Sequence, residues 1–81
     1  MKKTGQQTQR NLIGDRIRKA RLACKPPVTQ EDLVGRLAAR GIIVDQTAVS
    51  RIENRARYLM DYEIVAIAKA LKVSVAQLFG D

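Results

Sequence analysis

A chain of 81 residues has room for one domain with a modest core and not for two. Its composition, 46% hydrophobic against 28% charged, is globular; one cysteine and no histidine exclude an internal disulfide, argue against a zinc site and remove the commonest general base. The net charge is +7, and ten of the fifteen basic residues but only three of the eight acidic ones fall in residues 1–40, which points to a polyanionic partner.

Residues 1–11 are polar, basic and without periodicity, and read as a flexible basic arm ahead of a domain over 12–81. The arm is either a disordered tail or a strand of charge lying against phosphates. From Leu12 to Cys24 the apolar positions Ile13, Ile17, Ala20 and Cys24 are spaced by four, three and four, one face of a helix that Pro26 and Pro27 end.

The next four helix starts repeat one signal. An oxygen-bearing cap stands between two apolar residues five apart: Thr29 between Val28 and Leu33, Asp45 between Val44 and Val49, Asp61 between Met60 and Val65, Ser74 between Val73 and Leu78. Each is a cap inside a hydrophobic staple, and Ser74 to Gln77 also fits a capping box. The repetition predicts an all-α chain of five helices. Helix two is expected over about Gln30–Arg40, burying Leu33, Val34, Leu37 and Ala38, with Gly41 as terminator. Helix three follows over about Gln46–Asn54, burying Ala48, Val49 and Ile52; helix four over about Tyr62–Leu71, burying Ile64, Ile67, Ala68 and Leu71; and helix five over Val75–Phe79. Two local alternatives stand: an extended segment at Gly41–Val44, and a helix three that continues through Arg55–Met60.

The segment TQEDLVGRLAARGIIVDQTAVSRIENR resembles the helix-turn-helix of the phage-repressor and Cro-like (XRE-type) DNA-binding family, and DYEIVAIAKALKVSVAQLF resembles that family's last two helices. The likeness covers roughly Ile13 to Phe79. It implies a compact lambda-repressor-like domain whose third helix lies in the major groove of double-stranded DNA. By that resemblance Gln46, Thr47 and Arg51, with Ser50 between the faces, meet base edges: Gln pairs with adenine and Arg with guanine. Gln30 would hold a phosphate at the start of helix two, and Asn54, Arg55 and Arg57 would reach the backbone beyond the recognition helix. Arg21 of helix one and Glu53 would form a partly buried ion pair.

The sequence departs from the family pattern in places. Arg55 stands where a glycine usually follows Glu-Asn, so either Arg55 is left-handed or helix three runs on. Helix two with its turn and the Lys25–Pro27 loop are longer than in the shortest members. Asp45 is acidic beside a DNA-facing helix, and reads as a cap turned away from phosphate.

The resemblance implies a small transcriptional regulator, a repressor by occlusion, binding a palindromic operator as a homodimer. The competing reading is a protein-interaction module, an antitoxin or adaptor built on the same fold. No enzyme activity, cofactor, metal or small-molecule ligand is expected: no phosphate-binding glycine loop or Ser-His-Asp set is present, and 81 residues leave no room for a sensing domain. With no apolar run near 20 residues and no hydrophobic N-terminal stretch, the expected location is the cytoplasm.

Overall fold

The computed structural model describes residues 9–81. They form five helices in the order α1 (Gly14–Ala23), α2 (Gln30–Ala38), α3 (Gln46–Glu53), α4 (Asp61–Leu71) and α5 (Val75–Leu78), with no strand among the described residues. Helix three does not run on, since α3 stops at Glu53, and residues 42–45 form neither helix nor strand. No helix among the described residues is long and apolar enough to cross a membrane.

The core is aliphatic. Ile13, Ile17, Val28, Leu33, Leu37, Val49, Ile52, Ile67, Leu71 and Leu78 are each at most 3% exposed and belong to one cluster. Burying a side chain of this size contributes about 1.5–3 kcal/mol. α3 packs on α2 and α1, α4 on α2 and α1, and α5 closes the bundle against α4 and α1. Ala48 and Ile64 are only half-buried, and Ala38, expected inside, is exposed at the last turn of α2. Ile42 and Val44 pack on the core while Ile43 between them points out, 81% exposed.

The start signals hold at three of four sites. Thr29 Oγ1 accepts the Asp32 N–H at 2.9 Å, Asp45 Oδ1 the Ala48 N–H at 2.8 Å and Ser74 Oγ the Gln77 N–H at 3.0 Å. In return the Asp32 carboxylate accepts the Thr29 N–H, and this bonding holds its carboxyl below the usual range. At α4 the expectation fails: Asp61 is the first helical residue, not the cap, and its carboxylate accepts the adjacent Tyr62 N–H. Glu63 supplies the terminus instead, accepting the Met60 N–H at 2.9 Å. Met60 and Val65 are both exposed, so no staple is buried there.

Four helices end in the same way. A residue with positive φ (Gly41, Arg55, Lys72 or Gly80) turns the chain, and the next N–H donates to the carbonyl five residues back. This is the Schellman termination, which satisfies carbonyls the helix leaves open. Gly41 takes its φ of 83° at little cost. Arg55, at 63°, resolves the choice left by the sequence in favour of a left-handed turn.

Of the expected arm, residues 1–8 lie outside the described residues. Arg10 N–H donates to the Arg55 carbonyl at 2.7 Å, and its guanidinium sits over the Tyr58 ring. Asn11 is fixed by four bonds. Its Oδ1 accepts the N–H groups of Ile13 and Gly14 at the start of α1, and its Nδ2 donates to the carbonyls of Ile52 and Arg57. Gly14 then lies so close to α3 that a Cβ there would fall on the Ile52 carbonyl oxygen.

Candidate nucleic-acid interface

α3 is amphipathic over two turns. Val49 and Ile52 point into the core at 1% and 3% exposure, while Gln46, Thr47 and Arg51 are exposed and Ser50 is half-buried between them. Thr47 and Arg51, four apart, form an outward ridge. On one side of it lies a cleft lined by Gln30, Gln46 and Ser50; on the other, a second depression lined by Asp45, Ala48, Ala56 and Arg57. Arg51 makes no ion pair among the described residues. Asp45, which lines that second depression with Thr47 and Arg51, spends one carboxylate oxygen on the helix N-terminus, where the macrodipole also favours its charge.

Behind the ridge a polar chain runs into the core. Arg21 of α1 clasps Glu53 through Nε at 2.7 Å and Nη2 at 3.0 Å, and its Nη1 donates to the Val28 carbonyl at 2.8 Å. The expected pair is therefore present and deeply placed, Arg21 6% and Glu53 5% exposed. The hydrogen bond to Glu53 outweighs burial and raises the guanidinium pKa above its ordinary value. Gln30 Nε2 donates to the Glu53 carboxylate at 3.1 Å, and Gln46 Nε2 donates to Gln30 Oε1 at 3.3 Å. Gln46 thus has its Oε1 and one amide hydrogen still available, while its orientation is set through Gln30 from a buried ion pair.

The residues after α3 are less free than the sequence implies. Asn54 is exposed at the helix end. Arg55 turns back toward α1: Nη2 donates to Gln9 Oε1, Nη1 lies 3.8 Å from Asp15, and Nε is buried without a partner. Arg57, expected to reach a phosphate, grips Glu63 with both Nη atoms at 3.1 Å and donates to its neighbour's carbonyl at Tyr58. Its charge is neutralised inside the fold, because Glu63 is itself 8% exposed and must be paired.

Glu63 gives a pH signature. Burial pushes its carboxyl up, but the hydrogen bonds from Arg57 and the Met60 N–H outweigh burial and hold it below its ordinary value near 4.5. A carboxyl depressed on folding contributes stability that is complete above the unfolded pKa and is lost as pH falls through the folded one. Acid should therefore destabilise the chain below about pH 4.5. Glu63→Gln should be less stable at pH 7 yet lose less between pH 7 and 3, checked by urea midpoints at both pH values.

Sequence reasoning missed three residues that position this surface: Asn11, Gly14 and Glu63. Compared with known proteins, the chain matches no protein-family profile, no curated protein and no solved structure.

Proposed function

We propose that this chain is a sequence-specific double-stranded DNA-binding protein, a small transcriptional regulator of lambda-repressor-like helix-turn-helix design, with α2 and α3 as the motif and α3 in the major groove. The observation that carries the reading is the Thr47–Arg51 ridge with Gln46 beside it, exposed over a buried Val49 and Ile52 and oriented by Gln30. A ridge with free donors and acceptors on a +7 chain has the shape and charge to enter a groove walled by phosphates. Gln46 retains the acceptor and donor that a bidentate pair with adenine requires, and Arg51, without an ion-pair partner among the described residues, has the fork that matches guanine. Asn54 and the Gln30 and Glu31 N–H groups outside the α2 capping box remain for phosphate contacts, with Arg55 and Arg57 held back by their internal partners. One α3 reads only a few base pairs, so specific affinity calls for two copies on a palindromic site.

Selection of bound sequences from a random duplex pool tests this directly: an enriched palindromic consensus is the expected result, and no enrichment rejects the reading. On the selected site Arg51→Ala should cost about 1–3 kcal/mol and relax preference at one base pair. Equal loss on every sequence would instead indicate nonspecific phosphate binding.

The second reading, a protein-interaction module, is favoured by one observation: all three aromatic residues, Tyr58, Tyr62 and Phe79, stand at the surface. Aromatic side chains are enriched at protein interfaces. That reading predicts no salt-sensitive binding to any duplex.

A further inference from the structure

α1 turns Arg16, Lys19, Ala20 and Ala23, positions i, i+3, i+4 and i+7, toward an open groove of about 440 Å³. This lies within the range of roughly 300–1,000 Å³ found for small-molecule sites. The far side is built by the end of α4 and by α5. Its floor is apolar: Leu71 and Leu78 are buried, and Cys24 is half-buried beside them. Ala20 and Ala23 are too short to fill the space.

The rim is cationic and carries no acid. Arg16 and Lys19 are exposed and make no ion pair among the described residues. Across from them Gln77 spends Oε1 on the Ser74 N–H at 2.8 Å, and its Nε2 has no partner among the described residues. Three donor groups without an acceptor over an aliphatic floor define their complement: an anion with an apolar tail.

We propose that this groove binds an amphiphilic carboxylate, a medium-length aliphatic or aromatic acid. Its tail lies on the Leu71–Leu78 floor and its carboxylate is held by Arg16 and Lys19. The chain's own residues 1–8 do not suit the site, since Lys2 and Lys3 would repel the rim. A second copy would bring another +7 chain against two cations that have no ion-pair partner among the described residues. The expectation of no ligand came from chain length alone; a groove between helices needs no added domain. The inference is independent of the DNA-binding reading, because the groove shares no residue with the clefts beside α3.

Cys24 is the only cysteine and lines the groove, so its reactivity reports occupancy at one site. In the full chain, alkylation of Cys24 by N-ethylmaleimide would be followed by mass spectrometry under titration with octanoate, together with amide NMR shifts. Octanoate should protect Cys24 saturably and shift signals in residues 16–24 and 71–78. Octan-1-ol should bind more weakly by about tenfold, and the Arg16→Ala/Lys19→Ala variant should lose octanoate affinity by a similar factor. Unchanged thermal unfolding of that variant, exposed at both positions, would confirm that the loss is local. The proposal is overturned by an absence of protection, by equal binding of acid and alcohol, or by shifts confined to other residues. Protection that rises with protein concentration alone would overturn it in favour of a second copy. Protection by an acidic amphipathic peptide but not by octanoate would overturn it in favour of a protein partner.

Discussion

Glu53→Ala is expected to lower the unfolding free energy by about 3–5 kcal/mol, the cost of removing one member of a buried ion pair. The whole stability of an 81-residue domain is of the order of 4–12 kcal/mol, so this one change removes a large part of it. Arg21 would be left 6% exposed with the Val28 carbonyl as its remaining partner, and a guanidinium cannot shed its charge in compensation. Gln30 would lose its anchor in the same step. Urea denaturation with a far-UV signal measures the loss; a change below about 1 kcal/mol would mean the pair is solvated in solution. The double variant Arg21→Met/Glu53→Leu separates stability from function. It should regain most of the loss, since apolar replacement of a buried pair is often neutral or better. Under the DNA-binding reading it should still bind its selected site more weakly, because nothing then orients Gln30 and Gln46.

Gly14→Ala should be nearly as damaging, although alanine favours helices. The new methyl group would fall on the Ile52 carbonyl oxygen, with the Glu53 carbonyl and the Arg55 side chain close behind. That oxygen already accepts the Arg55 N–H and the Asn11 amide. Backbone cannot step aside as a flexible side chain can, so α1 must move off α3. Overpacking of this kind costs about 1–3 kcal/mol and each disturbed hydrogen bond about 1 more. A total near 3 kcal/mol lowers Tm by roughly 12–24 °C in a domain of this size. Gly35→Ala is the control. It lies inside α2 with open space where its Cβ would stand, and should gain up to about 1 kcal/mol. Equal responses at the two glycines would refute the close approach of α1 to α3.

What could be read in advance follows from the range of the interactions. Thr29, Asp45 and Ser74 announce their helices because a cap and its N–H are three residues apart, and Val49 and Ile52 announce the buried face of α3 by spacing alone. Asp61 misled because it shares the cap pattern while Glu63, two residues on, takes the terminus by reaching back to Met60. Ala38 misled because it follows Leu37 at the last turn of α2 and shares its apolar character, yet it stands exposed while Leu37 is buried. Asn11 and Gly14 were illegible for a different reason. Their partners at 52–57 lie about forty residues away, and nothing local marks an asparagine in a polar segment as a fourfold-bonded clasp. The Arg57–Glu63 grip was equally hidden: it closes over an irregular loop, where no periodicity says which arginine faces inward. The Arg21–Glu53 pair was anticipated from the resemblance to a repressor family, not from spacing. Its continuation through Gln30 to Gln46 depends on how α2 and α3 are set against each other.

The surface position of Tyr58, Tyr62 and Phe79, 65%, 60% and 48% exposed, has a spectroscopic consequence. With no tryptophan and no ring in the interior, the native chain fixes only Tyr58 among its chromophores, beneath the Arg10 guanidinium that also donates to its hydroxyl at 3.3 Å. Its near-ultraviolet dichroism should be weak, with that small signal coming from Tyr58, a profile close to the one ordinarily taken for a molten globule. For this molecule that profile describes the tightly packed state, and dispersed methyl resonances from Ile17, Leu33, Leu37 and Ile67 are the signal that distinguishes order from collapse.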